Sequence, residues 1–156
     1  MVKTIAELIE CLKNEDEFLV EETKVLLESR SDEAVEPLID ALKNNPNKDI
    51  KIGAANILGF IGDDKAIPAL ISALGDLNKF VRRESSTALT KMGSSAVKPL
   101  IAVLDDDDWK VRGAAAWALG SLGDDNVVDP LTKLLDDESG FVKRGAKYSI
   151  DKINGE

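Results

Sequence analysis

The stretch DDDDWKVRGAAAWALGSLGDDNVVDPLTKLLDD (residues 105–137) decides the fold, because its pattern recurs at a fixed distance along the chain. VRGAAAWALGSLG (111–123) returns as VRRESSTALTKMG (81–93), and the same pattern runs from 50 to 62 and from 142 to 154. The residues closing this block are Ser31, Gly62, Gly93, Gly123 and Asn154, at spacings of 31, 31, 30 and 31. A period of this length is the mark of a stacked helical-repeat array. Pro37, Pro68, Pro99 and Pro130 keep the same interval, but Pro68 falls one position earlier within its unit than Pro37. The apolar columns are the safer register.

In that register each unit predicts two helices. The first carries Leu8/Leu12, Leu38/Leu42, Leu70/Leu74, Leu100/Leu104 and Leu131/Leu135. The second carries Leu19, Ile50, Val81, Val111 and Val142, then Thr23, Ala54, Ser85, Ala115 and Ala146, then Leu27, Leu58, Leu89, Leu119 and Ile150. Offsets of i, i+4 and i+8 make one stripe of an amphipathic helix. Just ahead of each second helix stand Asp16, Asn47, Asn78, Asp108 and Ser139, all residue types that cap free first-turn amides. Gly62, Gly93 and Gly123 follow the helices, where a left-handed residue is favoured. The prolines are expected near the start of the first helices. The chain therefore reads as all-α: one domain, 1–156, of five helical hairpins at about 1–31, 32–62, 63–93, 94–123 and 124–156.

Composition narrows the function classes. The chain is 44% hydrophobic and 31% charged, enough apolar residue for a core and enough charge for solubility. A net charge of −9 opposes general binding to nucleic acid or an anionic membrane. Cys11 is the single cysteine, so no intramolecular disulfide can form; it is expected to be a buried, inert thiol. The N-terminal MVKTIAELIECLKN has no signal-peptide core, and no stretch approaches the length that spans a bilayer. A soluble cytoplasmic protein is expected. There is no histidine, which removes Ser–His and Cys–His nucleophile pairs and imidazole metal ligands. No phosphate-binding or dinucleotide glycine motif is present. The run Asp105–Asp108 fails as an EF-hand loop, because Lys110 and Ala116 hold the positions that need Gly and Glu. No metal, cofactor or catalytic residue is predicted.

The blocks at 105–137 and GAANILGFIGDDKAIPALISALGD (53–76) resemble HEAT repeats of the short phycobilisome-lyase type. The resemblance implies an α-α superhelix, a right-handed solenoid whose second helices line the concave surface. It also implies a ladder between a turn acid and an early basic residue of the second helix. Here the ladder residues are Asp76, Arg82, Asp106, Arg112, Asp137 and Lys143.

On the helical wheel Phe18, Phe80 and Phe141 share one column away from the core stripe, and Trp117 and Tyr148 share another, with Phe60 beside them. Trp109 falls outside this set. The rings either fill seams between repeats or line a groove. The second helices of repeats two to five carry +8 between them, which leaves −17 for the rest of the chain. The expected binding face is therefore Phe80, Arg83, Lys110, Trp117, Phe141, Arg144, Lys147 and Tyr148, taking an acidic segment of another protein. The sequence predicts a non-catalytic protein–protein scaffold. The alternatives are a lyase-like protein acting on a tetrapyrrole-bearing partner and, behind it, a nucleic-acid-binding role. Polar outer residues at both ends (Lys3, Glu7, Glu10 and Lys13; Lys147, Asp151 and Lys152) predict a capped monomer.

Overall fold

The computed structural model describes residues 2–156 and arranges them in five successive helical pairs, with no strand among the described residues. The pairs are α1 (Ile5–Cys11) with α2 (Glu17–Ser29), α3 (Ser31–Asn44) with α4 (Lys48–Ile61), α5 (Ile67–Ala73) with α6 (Lys79–Met92), α7 (Val97–Ile101) with α8 (Trp109–Leu122), and α9 (Val128–Thr132) with α10 (Gly140–Ile153). The second helices α2, α4, α6, α8 and α10 pack consecutively in one row. The first helices α1, α3, α5 and α7 line up in another. This is the α-solenoid read from the repeat.

Local chemistry sets the helix boundaries. Asp16, Asn47, Asn78, Asp108 and Ser139 each accept a hydrogen bond from a first-turn amide of their second helix. The acid or amide two residues ahead of each cap also acts. Asn14, Asn45, Asp76, Asp106 and Asp137 accept from the amide of the capping residue at 2.8–2.9 Å, which tightens every intra-repeat turn. Gly62, Gly93 and Gly123 close α4, α6 and α8 with φ near +70°, a region that other residues enter at a cost.

Leu38, Leu70, Leu100 and Leu131 from the first row meet Leu27, Leu58, Leu89 and Leu119 from the second, all with no accessible surface. Burying each such side chain is worth about 1.5–3 kcal/mol. The small column lets the helix row close up. A Cβ at Gly59 would lie 2.8 Å from the Cα of Ala88, and one at Gly120 would lie 2.2 Å from the Oγ of Ser149. No helix is long and apolar enough to cross a membrane among the described residues.

Three expectations need correction. Pro68 opens α5, but Pro37 lies inside α3. In the third to fifth repeats a separate 3-10 turn precedes the proline-bearing helix, whereas in the second repeat that turn is continuous with α3. Cys11 is half-buried, and the Lys3 ammonium approaches its Sγ at 3.5 Å. The N-terminal end is also less polar than its α1 residues suggested, since α2 turns Phe18, Val25 and Leu26 toward solvent.

Candidate functional site

Between the row helices α6, α8 and α10 lies a cleft of about 510 Å³. Its floor is aromatic and its rim cationic. Trp109, Trp117 and Phe141 form the floor, Lys79, Arg82, Arg83 and Lys110 the rim, and Ser86, Thr87 and Ala114 complete the lining. No carboxylate lines it among the described residues.

Glycine backbone positions the rings. A Cβ at Gly113 would meet the Phe141 ring at 2.1–2.3 Å, so Phe141 lies directly on the backbone of α8. A Cβ at Gly145 would meet the Trp117 indole at 2.6 Å, so Trp117 lies on the backbone of α10. Each helix receives a ring from the other. Trp117 then tilts against Tyr148 with centroids 4.7 Å apart and against Phe141 at 6.4 Å, while Trp109 sets its edge on Phe141 at 5.8 Å. Such pairs stabilise beyond their area alone by about 0.5–1.5 kcal/mol. Seam and groove are thus one structure here. The rings plug the α8–α10 seam, and their outer surfaces make the cleft floor.

Among the face residues read from sequence, Arg83, Lys110, Trp117 and Phe141 come together in the cleft. Tyr148 backs Trp117, Lys147 pairs with Asp151 at 3.0 Å, and Phe80 lies under the Lys79 ammonium. Arg144 is exposed beside Gly140 and does not reach the cleft. Phe60 is apart from the group, exposed, with the Lys91 ammonium 3.8 Å above its ring. Sequence reasoning missed Trp109, Ser86 and Thr87. Trp109 is the first residue of α8, and its column holds Glu17, Lys48, Lys79 and Gly140 in the other repeats, so no aromatic column marks it. Its one legible signal is its place immediately after the cap Asp108.

The turn acids and early basic residues form a broken ladder. Lys51 donates to Asp76 at 3.0 Å, and Arg112 holds Asp137 through Nε at 2.9 Å and Nη2 at 3.1 Å. Both bonds run from one repeat to the next. Arg82 and Arg112 also donate to carbonyls of their own turns, Asp76 and Leu77 for the one, Asp106 and Asp107 for the other. Arg82 thus braces its turn and lines the cleft at once. No ion pair joins Asp106 or Lys143 among the described residues. The hydrogen bond from Arg112 holds the Asp137 carboxyl below the usual carboxylate range against the opposing effect of burial. No cluster of His, Cys, Asp and Glu suited to a metal occurs among the described residues.

A sequence profile of HEAT repeats matches residues 35–100 and 67–151. The chain is similar to phycocyanobilin lyase subunit beta of Nostoc sp. strain PCC 7120, 33% identical over 73% of this chain and 56% of that protein. It is also similar to phycocyanobilin lyase subunit alpha of Picosynechococcus sp. strain PCC 7002, 37% identical over 48% of this chain and 31% of that protein. The bilin biosynthesis protein RpcF of Synechococcus sp. strain WH8020 is 33% identical over 58% of this chain and 44% of its own. The chain thus spans between about a third and just over half of the length of these curated relatives. Among solved structures, the complex of CpcE and CpcF of phycocyanin lyase from Nostoc sp. PCC7120 shares the fold. The TM-score is 0.59 at 22% identity, covering 100% of this chain and 67% of that one. The expectation of a protein that is not an enzyme is overturned by these relatives, which are lyase subunits and a bilin biosynthesis protein. With its repeat period, its paired helices and this match over residues 35–151, the chain belongs to the HEAT-repeat family, in the short phycobilisome-lyase form.

Proposed function

We propose that this chain is a lyase-like subunit that acts on a bilin-bearing partner protein, and that the cleft among α6, α8 and α10 holds the tetrapyrrole. The cleft itself carries this reading. A linear tetrapyrrole is a flat conjugated ligand bearing carboxylates, and here a cleft of about 510 Å³ with an aromatic floor is lined by four cations and, among the described residues, by no carboxylate. Trp109, Trp117 and Phe141 give the π surface. Lys79 and Arg83 make no ion pair among the described residues and can take carboxylates, while Lys110 is paired with Asp108 at 3.1 Å and Arg82 is tethered to its turn. The relatives that act on phycocyanobilin supply the substrate class.

The same cationic row suits an acidic segment of the partner protein, so cleft and partner surface are continuous along α6 and α10. The test is titration of phycocyanobilin into the chain, followed by visible absorbance and quenching of tryptophan emission. Saturable binding is expected. Arg83→Glu and Lys79→Glu, both at exposed positions, each weaken it about fivefold, roughly 1 kcal/mol per lost charge contact. Binding that is absent, or indifferent to both reversals, removes this assignment.

A further inference from the structure

The rungs that tie one repeat to the next are not alike. Lys51 reaches Asp76 and Arg112 reaches Asp137, and in both cases the partners lie 25 residues apart. Arg82 stands in the same column, but its counterpart Asp106 is only 24 residues ahead, because the link between the third and fourth repeats is one residue short. One residue of helix carries about 1.5 Å of rise and about 100° of turn. No ion pair joins Arg82 to Asp106 among the described residues. The guanidinium itself is set in the same way in both repeats. Nη1 of Arg82 donates to the carbonyls of Asp76 and Leu77 at 2.6 and 3.1 Å, and Nη1 of Arg112 to those of Asp106 and Asp107 at 2.8 and 3.1 Å. In Arg112 the remaining edge, Nε and Nη2, holds the two oxygens of Asp137 at 2.9 and 3.1 Å. In Arg82 that edge has no partner among the described residues, and Arg82 lines the cleft. The nearby Asp108 carboxylate is engaged by the amide and the ammonium of Lys110. One repeat later the counterpart hollow, lined by Trp109, Arg112, Ser139 and Phe141, has its fork closed by the chain's own acid.

We infer that Arg82 is the carboxylate anchor of the cleft: its Nε–Nη2 edge takes one carboxylate of the ligand two-pronged, as Arg112 takes Asp137, and selects a free acid over an ester or an amide. The inference rests on the reading of this cleft as a ligand site. Fixed geometry sets Arg82 apart from Lys79 and Arg83, which carry their charges on exposed side chains. Two turn carbonyls already hold the Arg82 guanidinium in one orientation, so little side-chain freedom is left to lose when a carboxylate arrives. A planar carboxylate meets both donors at once, whereas an ester is uncharged and an amide sets an N–H against one of them. Trp109 and Trp117 border the same cleft, so a conjugated body with an acid on a short arm meets floor and fork together.

The test titrates two acids, each beside its methyl ester, into the full chain: 1-pyrenebutyrate, a flat aromatic acid unrelated to bilins, followed by pyrene fluorescence, and phycocyanobilin, followed by visible absorbance. Each acid is expected to bind saturably and at least about tenfold more tightly than its ester. Arg82→Lys keeps the charge and removes the fork. It is expected to weaken the acids about tenfold and to leave the esters unchanged, which also shows that the cleft has kept its shape. An Arg82-dependent preference for pyrenebutyrate over its ester, with no binding of phycocyanobilin, supports the anchor and removes only the tetrapyrrole assignment. Phycocyanobilin that binds, but equally well as its ester and in Arg82→Lys, overturns the anchor and leaves that assignment standing. A preference for the acids that is lost in Arg83→Lys instead of Arg82→Lys overturns it too, as does the absence of any Arg82-dependent preference with both acids. The open rung is checked without ligand. Arg82→Lys and Asp106→Asn are expected to be additive in urea unfolding, and a coupling between them like that of Arg112 with Asp137 would place Asp106 in the fork and overturn the inference.

Discussion

Replacing Asp137 by alanine probes the contact that ties the fourth repeat to the fifth. In the native chain Arg112 and Asp137 are 10% and 9% exposed at their side chains, and the pair is bidentate. Alanine leaves the guanidinium buried without its counter-charge and removes the acceptor for the Ser139 amide. Breaking a buried pair from one side costs about 3–5 kcal/mol. The lower end applies, because Glu138 is already 3.9 Å from Arg112 and free to move closer, and two turn carbonyls remain bonded. A loss of about 3 kcal/mol is expected, roughly a 10 °C fall in melting temperature for a chain of this size. Circular dichroism at 222 nm under urea and heat measures both. Replacing both partners with apolar residues, Arg112→Met with Asp137→Leu, should cost much less than the sum of the single changes. The pH dependence has a definite sign. Because the folded pKa of Asp137 lies below its unfolded value, the pair's contribution is present above about pH 4 and is lost as pH falls through the lowered folded value. The penalty of Asp137→Ala should therefore shrink on acidification. A loss below about 1 kcal/mol at neutral pH, the level of a surface pair, or a strictly additive double-substitution cycle, would refute the reasoning.

Two further substitutions test the packing. Gly59→Ala places a Cβ 2.8 Å from the backbone of Ala88, which cannot swing aside, so a net loss of about 1–3 kcal/mol is expected despite alanine's better helix propensity. Equilibrium urea unfolding checks it, and an unchanged midpoint would show that α4 and α6 can part freely. Ser85→Ala should stabilise by about 1 kcal/mol, because the Ser85 hydroxyl is fully buried with no hydrogen-bond partner among the described residues. Ala54, Ala115 and Ala146 already fill that column. A destabilised variant in thermal unfolding would mean that the hydroxyl has a bonded role.

The sequence by itself determined what depends on near neighbours. Caps at Asp16, Asn47, Asn78, Asp108 and Ser139, terminal glycines and the three-column apolar stripe act within one or two helical turns, so a repeat of 30 or 31 residues displays them plainly. Part of the cleft was legible in the same way. Arg83, Lys110, Trp117 and Phe141 lie on the outer side of their helices, and direction around a helix is a local property. Tertiary structure alone decided the rest. That Phe141 rests on Gly113 and Trp117 on Gly145 depends on how closely two helix backbones approach, and a wheel carries no such distance. The choice of Asp137 as partner for Arg112, 25 residues away in the next repeat, depends on repeat stacking in the same way. Arg144 and Phe60 share the outer side with the cleft residues but point elsewhere, because the cleft needs convergence from three helices.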